Sequence, residues 1–192
     1  MLGVPVTVSV DELLTFRNDK PDVLYYGTPG LDGALWMPIL EKAAAKMYGN
    51  YEMLSGGLMG PAVQMLTGAP YYDKMHYEYK TSDELWSYID EKIKAKWMVT
   101  CASHYGTGSD KDFNEIGLPY VHAYTVLGTH QLSNGQKLVK VRNPFGPLKE
   151  TFHGDWSDDS DKWTDSFKAE VNYENSNDGV WFISAEDYKS SM

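Results

Sequence analysis

The sequence predicts an α+β fold in which helices come first and an antiparallel sheet follows. Long helical patterns lie in the first half of the 192 residues, whereas short strand-like runs dominate the second half. Helices followed by strands are typical of α+β proteins, because a parallel α/β sheet requires the two elements to alternate. The apolar content of 42% is that of a globular protein with a buried core.

The first half contains the helical patterns. Valines alternate with other residues over 4–10, which predicts an opening strand. Apolar residues then recur at helical spacing over 34–48, and Gly49 follows where the end of a helix favours glycine. Thr81 and Glu84 have the spacing of a capping box, so we expect a second long helix to begin after Thr81.

The second half contains the strand patterns. A buried strand is predicted in KWMVTCAS, and a further strand in VWFIS near the end of the chain. Between them lie YVHAYTVLGTHQL and QKLVKVRNP, separated by Ser133, Asn134 and Gly135. Because Asn-Gly between two strand-like runs is a strong hairpin signal, these runs are expected to pair as antiparallel neighbours.

Charge and composition exclude several classes of function. Lys and Arg number 17 against 27 Asp and Glu, and the resulting net charge of −10 disfavours binding to nucleic acid or anionic lipid. The sequence has neither an apolar run long enough to span a membrane nor the pattern of a signal peptide. A single cysteine, Cys101, allows no internal disulfide. We therefore expect a cytoplasmic protein.

One histidine, His122, lies inside a strand-like run. From the residues alone it is a general base, a metal ligand or a buried side chain with a hydrogen bond, although none of the five histidines has the pair spacing of a zinc site. A base needs an acceptor on its second ring nitrogen, and Asn143 follows twenty-one residues later on the return strand. A two-residue turn would set Asn143 opposite Val126, about 13 Å along the strand from His122, so contact requires a longer turn or a bulge.

Four motifs in order resemble those of the calpain family of cysteine peptidases: GLPYVHAYTVLG, LVKVRNPFG, GDWSD and DGVWFIS. Upstream, LWMPILEKAAAKMYGNYEMLSGG resembles the helix that opens the second catalytic subdomain of calpains, and the resemblance runs from about Trp36 to about Tyr188. It implies a papain-like second lobe, with an antiparallel, barrel-like β core and N-terminal helices packed on it. Residues 34–192 would form this subdomain, and residues 1–33 the tail of the first subdomain or a linker.

The resemblance also implies roles for individual residues. His122 matches the general base, Asn143 its orienting partner, and Phe145 the position where the family usually has a tryptophan that shields the pair from water. Val121 stands where the family commonly has glycine.

The family's nucleophilic cysteine and oxyanion-hole glutamine belong to the first subdomain, on a segment that would lie before Met1. Cys101 does not replace that cysteine, because a cysteine on a buried strand is usually an inert apolar residue. We expect the half of a calpain-like endopeptidase that carries the base, inactive alone, with a first catalytic half and a polypeptide substrate as protein partners. The alternative is a catalytically silent module with a structural or protein-binding role in a larger assembly, such as the cytoskeleton.

An acidic loop, HGDWSDDSDKWTDS, contains Asp155, Asp158, Asp159 and Asp161. It raises the question of calcium, because hard oxygen ligands on a loop are what Ca²⁺ requires. Its aspartates do not have the EF-hand pattern. Through the resemblance, Asp158 and Asp178 match ligands of a calcium site in the second subdomain, but Val180 stands where the family usually supplies another carboxylate. A weak calcium site and a solvated acidic turn are both open, and no nucleotide or organic cofactor is expected.

Overall fold

The computed structural model describes residues 4–30, 32–104, 111–146 and 152–192. The chain divides into two compact units, Met1–Asp73 and Lys74–Met192. The predicted boundary after residue 33 is based on resemblance to the family's subdomains, whereas these two units are defined by their compactness. The boundary after residue 33 therefore stays a prediction.

The first unit contains two helices, α1 (Trp36–Tyr48) and α2 (Met59–Thr67), with a short 3₁₀ turn at Tyr51–Leu54 between them. Helix α1 confirms the periodicity seen in the sequence. It ends at Gly49, whose φ of 112° is open to glycine and costly for other residues.

The predicted opening strand is wrong, because residues 4–10 form no strand. Alternation favours a strand only where one face is buried and a second strand supplies hydrogen bonds. Here Val4 and Val6 are exposed. The backbone carbonyl of Ser9 instead accepts a hydrogen bond from Lys46 of α1 at 2.7 Å.

The second unit is built around a four-stranded sheet. Its strands are β1 (Val99–Ala102), β2 (Ala123–Gln131), β3 (Lys137–Arg142) and β4 (Val180–Ser184), in the spatial order β1-β2-β3-β4. All neighbouring pairs are antiparallel. The described residues of this unit also form the α-helices α3 (Ser82–Lys94), α4 (Asp165–Glu170) and α5 (Ala185–Ser191), and a short 3₁₀ turn at His76–Glu78. The predicted α+β class and antiparallel sheet are confirmed.

Helix α3 begins and packs as its sequence predicts. The Thr81 side chain accepts a hydrogen bond from the backbone N–H of Glu84, which satisfies one of the free donors in the first turn. Leu85, Trp86 and Ile89 are buried, and the Trp86 indole N–H donates to the backbone carbonyl of Leu138 on β3 at 2.9 Å. This bond joins the helix to the centre of the sheet.

The two faces of the sheet contribute to two buried clusters, because side chains alternate along a strand. One cluster joins α3 and α5 to one face, and its strand members include Tyr124, Val126, Val139, Val141, Trp181 and Ile183. The other cluster lies on the opposite face, where Leu138 of β3 and Phe182 of β4 pack with Trp156 and Trp163 of the acidic loop and with Val171 just after α4. The acidic loop is therefore held against the sheet by its tryptophans.

The hairpin of β2 and β3 differs from a two-residue turn in two ways. Its loop has three residues, since Leu132 and Gln136 are joined by a backbone hydrogen bond and Gly135 takes the left-handed conformation with φ 90°. A bulge then shifts the register between Val126 and Gly128. Each change moves β3 by one residue along β2, which brings the residue after Arg142 level with Tyr124 instead of Val126.

Among the helices of the described residues, none combines the length and the apolar character that crossing a membrane requires.

Candidate active site

His122 and Asn143 are in direct contact. The distance from Nε2 of His122 to Oδ1 of Asn143 is 2.9 Å, within the range of a good hydrogen bond. His122 lies just before β2 and is only 6% exposed, whereas Asn143 follows β3. The register shift of the hairpin explains the contact, because diagonal neighbours two residues apart are within reach across a sheet.

The surroundings of Asn143 fix which nitrogen of His122 carries the proton. The backbone N–H of Phe145 donates to Oδ1 of Asn143 at 3.0 Å. Since this N–H can only donate, the amide atom facing it is the oxygen, and the same oxygen faces His122. Nε2 of His122 must then donate, which leaves Nδ1 of the neutral ring as the proton acceptor.

Two aromatic rings hold the imidazole of His122. Phe145 lies against it with ring centroids 4.6 Å apart and planes inclined by 35°. Tyr124 meets it edge-on at 4.9 Å on the buried side. Because Phe145 is 56% exposed while His122 is buried, the phenyl ring lies on the solvent side of the imidazole. This is the arrangement expected of a side chain that shields the pair from water.

Ser103, which sequence reasoning missed, bonds the backbone of His122. Its hydroxyl oxygen accepts from the His122 N–H at 3.0 Å, and its own N–H donates to the His122 carbonyl at 2.9 Å. The hydroxyl donates in turn to the carbonyl of Pro119 at 2.5 Å. Nothing in the sequence pointed to Ser103, since it follows a different strand. Tyr124 could have been found, because a period of two places it on the same face as His122.

The turn that carries Asn143 is joined to the start of β4. The Asn143 N–H donates to the carbonyl of Gly179 at 2.8 Å, and the Gly146 N–H donates to the carbonyl of Asn143 at 3.1 Å. Gly179 has φ 78°, and a β-carbon there would lie 2.6 Å from the carbonyl oxygen of Gly146. Only glycine fits this approach, so the DGVW motif supports the position of Asn143.

Cys101 is not part of this site. It is 5% exposed and faces the core on β1, paired in register with Tyr124. Burial raises the pKa of its thiol to about 12, although a hydrogen bond with Tyr188 opposes the rise. At neutral pH the thiol is therefore protonated, and a protonated thiol is a poor nucleophile.

We expect native Cys101 to resist alkylation. At pH 7.5 the folded chain should incorporate less than about one tenth as much iodoacetamide, measured by intact mass, as the chain unfolded in urea. The reason is both the raised pKa and the lack of access through the packed core. Labelling of the folded chain as fast as the unfolded chain would show that Cys101 is accessible and reactive.

Among the described residues, the acidic side chains form no metal centre of their own. Over the ranges that the structure describes, no three His, Cys, Asp or Glu side chains come together as metal ligands would. An oxygen of Asp158 accepts from the hydroxyl of Tyr173 at 3.0 Å, and the two oxygens of Asp178 accept from Ser176 and from the N–H of Val180. These two carboxylates alone do not fit the six to eight oxygens that Ca²⁺ takes. A weak calcium site at Asp158 and Asp178 stays a prediction.

A buried histidine with one nitrogen held by an asparagine oxygen and the other free to accept a proton is the base and orienting partner of papain-type cysteine peptidases. The profile of the family described as calpain family cysteine protease matches residues 1–192. The chain belongs to the calpain family.

Curated calpain proteins are similar over nearly the whole chain. The calpain-type cysteine protease ADL1 of Oryza sativa subsp. japonica is 32% identical over 193 residues, which cover 97% of this chain and 9% of that protein. Calpain clp-4 of Caenorhabditis elegans is 30% identical over 99% of this chain and 27% of its own length. The calpain-1 catalytic subunit of Mus musculus is 30% identical over 97% of this chain and 26% of its own length. The chain thus spans about a tenth to a quarter of these relatives.

Proposed function

We propose that this chain supplies the base-bearing half of a calpain-type endopeptidase active site, with His122 as general base and Asn143 as its orienting partner. The observation that carries the proposal is the 2.9 Å contact between Nε2 of His122 and an Asn143 oxygen whose orientation is fixed by the Phe145 N–H. Phe145 keeps water from that hydrogen bond. The nucleophilic cysteine comes from a segment outside these 192 residues, because Cys101 is buried and protonated.

The hydrogen bond between Nε2 of His122 and Asn143 supports a mechanism in which Nδ1 carries each proton transfer. Nδ1 of His122 takes the proton of the incoming thiol, and the thiolate attacks the peptide carbonyl to form a tetrahedral intermediate. Nδ1–H then protonates the leaving amine as the C–N bond breaks, which leaves an acyl-enzyme. In the second half of the reaction Nδ1 takes a proton from water as the water oxygen attacks the acyl carbon; the C–S bond then breaks, the carboxylic acid leaves, and Nδ1–H returns the proton to the departing thiolate. Throughout, Oδ1 of Asn143 accepts from Nε2–H and holds the ring in place.

The assembled site would lie between this chain and a first catalytic half that carries the cysteine. The substrate would be a polypeptide. We place the protein in the cytoplasm, because its single cysteine fits a reducing compartment.

The 192-residue chain alone is expected to hydrolyse neither casein nor a fluorogenic peptide, because a base without a thiol has nothing to activate. Release of dye or acid-soluble peptide should equal that of a buffer blank over hours. Hydrolysis that is lost on His122→Ala would contradict the proposal, since it would require a nucleophile within this chain.

An active-site-directed thiol probe distinguishes the proposal from a silent calpain-like module. When the chain is joined to the upstream segment of its own transcript, or to a partner chain, the probe should label a cysteine in that added part. If no cysteine there is labelled and no peptide is cleaved, the module is silent and its role is structural or protein-binding.

Calcium binding at the acidic loop is a separate prediction. Titration of the chain with CaCl₂ in a calorimeter should show at most millimolar affinity, because two carboxylates supply too few ligands for a tight site. Asp158→Asn and Asp178→Asn should each remove whatever heat is observed. Heat that survives both substitutions would place any calcium site elsewhere, and the absence of heat at millimolar calcium would end the prediction.

A further inference from the structure

The polypeptide that leads into His122 has an unfavourable conformation. Val121 has φ 52°, in the left-handed region, where its β-carbon crowds the backbone. For a β-branched residue this conformation is rare and persists only where surrounding contacts determine it. The Val121 side chain is 45% exposed, so burial does little to hold it there. Some other contact must fix the backbone at this point.

Two contacts do so: the Val121 N–H donates to the carbonyl of His104 at 3.2 Å, and Ser103 holds the next residue, His122. Regular pairing of β2 with β1 begins at Ala123, opposite Ala102. Beyond this pair, the N–H of Ser103 donates to the carbonyl of His122. The hydroxyl oxygen of Ser103 accepts a hydrogen bond from the N–H of His122. Both polar groups of the His122 backbone are therefore held by one residue. A backbone held at its N–H and its carbonyl leaves the imidazole little freedom to change direction.

The hydroxyl also secures the turn on the other side of Val121. It donates to the carbonyl of Pro119 at 2.5 Å while it accepts from the His122 N–H. One oxygen thus bridges the residues on the two sides of the strained segment. Ser103 is buried at 3% exposure, so water cannot take over these bonds without opening the structure.

We propose that Ser103 is a positioning residue for the general base: through the backbone of His122 it directs the imidazole so that Nε2 meets Asn143. The catalytic meaning of this role rests on the proposed function. The positioning of the ring does not depend on the proposed function, because the hydrogen bond between His122 and Asn143 exists within this chain. Without the hydroxyl, the His122 N–H is buried with no acceptor, and the bridge from His122 to Pro119 across Val121 is lost, so that the turn is held on this side only by the Val121 N–H bond to His104. The ring then moves away from Asn143.

The test measures the Nε2–H proton of His122 by NMR in the whole 192-residue chain. In the wild type this proton is hydrogen-bonded and covered by Phe145, and it should exchange slowly with water. Ser103→Ala should speed its exchange about tenfold, the effect of losing one hydrogen bond to a buried group. Ser103→Cys fills the same space with a weak acceptor and should behave like Ser103→Ala, which separates hydrogen bonding from packing.

Thr129→Val is the matched control. Thr129 also lies on β2, and its hydroxyl donates to Asp90 of α3 at 2.8 Å, far along the strand from His122. The control should lower the stability of the chain to urea as Ser103→Ala does, yet leave the exchange of the Nε2–H proton unchanged. Exchange equal to wild type in both Ser103 variants would overturn the proposal, since Ser103 would then be a structural residue only.

The outcomes separate this inference from the proposed function. In an assembled, active peptidase, Ser103→Ala should lower kcat about tenfold with KM within about twofold, because the substrate groove is untouched. A protected Nε2–H proton that depends on Ser103, in an assembled protein that cleaves nothing, would support the positioning role and overturn the proposed function. A wild-type chain without a protected Nε2–H proton would overturn both.

Discussion

Replacing His122 with alanine should lower kcat/KM of the assembled peptidase by at least about a thousandfold. Removing one member of a nucleophile and base pair costs nearly as much as removing the whole set, because the members act as a unit. Here the thiol would lose the group that takes its proton, and the leaving amine would lose its proton donor. The measurement is the hydrolysis of a fluorogenic peptide by the chain joined to its cysteine-bearing half.

His153→Ala is the control for this prediction. His153 is an exposed histidine of the second unit, and its backbone N–H donates to the carbonyl of Ile116 at 3.0 Å. Its replacement removes an imidazole without disturbing the core or the contact of His122 with Asn143. Activity within about twofold of wild type is expected for this variant. If His122→Ala retained a tenth of wild-type activity, His122 could not be the general base.

Gly179→Ala should destabilise the second unit by about 2–5 kcal/mol. The added β-carbon would lie 2.6 Å from the carbonyl oxygen of Gly146, and the residue would have to keep φ 78°. The left-handed conformation costs a residue with a side chain about 1–2 kcal/mol, and overpacking adds about 1–3 kcal/mol. Because Asn143 bonds the carbonyl of Gly179, the substitution should also displace Asn143 from His122. Urea unfolding followed by fluorescence gives the free energy of unfolding.

Gly135→Ala separates the two contributions. Gly135 also has a positive φ, of 90°, but a β-carbon there would meet nothing within 4 Å. It should therefore cost only the conformational part, about 1–2 kcal/mol, and leave the Nε2–H proton of His122 protected. Equal losses of stability in the two variants would mean that the approach of Gly179 to Gly146 is not tight in solution.

Local patterns predicted the elements of this fold well. Helix α3 follows from the Thr81 and Glu84 spacing and from Leu85 and Ile89 on one face, because those signals act within a few residues of one another. The opening strand failed for a related reason. Alternating valines indicate only that a strand is possible. Strand formation also requires a second strand to pair with, and residues 4–10 have no such neighbour among the described residues.

The candidate site could be predicted only in part. The sequence identified His122 and Asn143 as candidate residues but did not predict their contact. An Asn-Gly pair occurs both in two-residue turns and at the end of three-residue loops, so the register of the hairpin could not be predicted from it. The bulge beside Leu127 carries no clear signal in the sequence either. Ser103 was missed because its role depends on a neighbour across the sheet and not along the chain.

The length of the hairpin that joins His122 to Asn143 determines whether the two side chains meet. Hairpin loops usually tolerate gained or lost residues, because their tips lie in solvent. In this hairpin a single insertion or deletion between the two strands would slide Asn143 by one place, and successive side chains of a strand point to opposite faces. The amide would then face away from the imidazole even though the sheet had formed. The twenty-one-residue interval is therefore as much a requirement of the pair as the identities of its two ends.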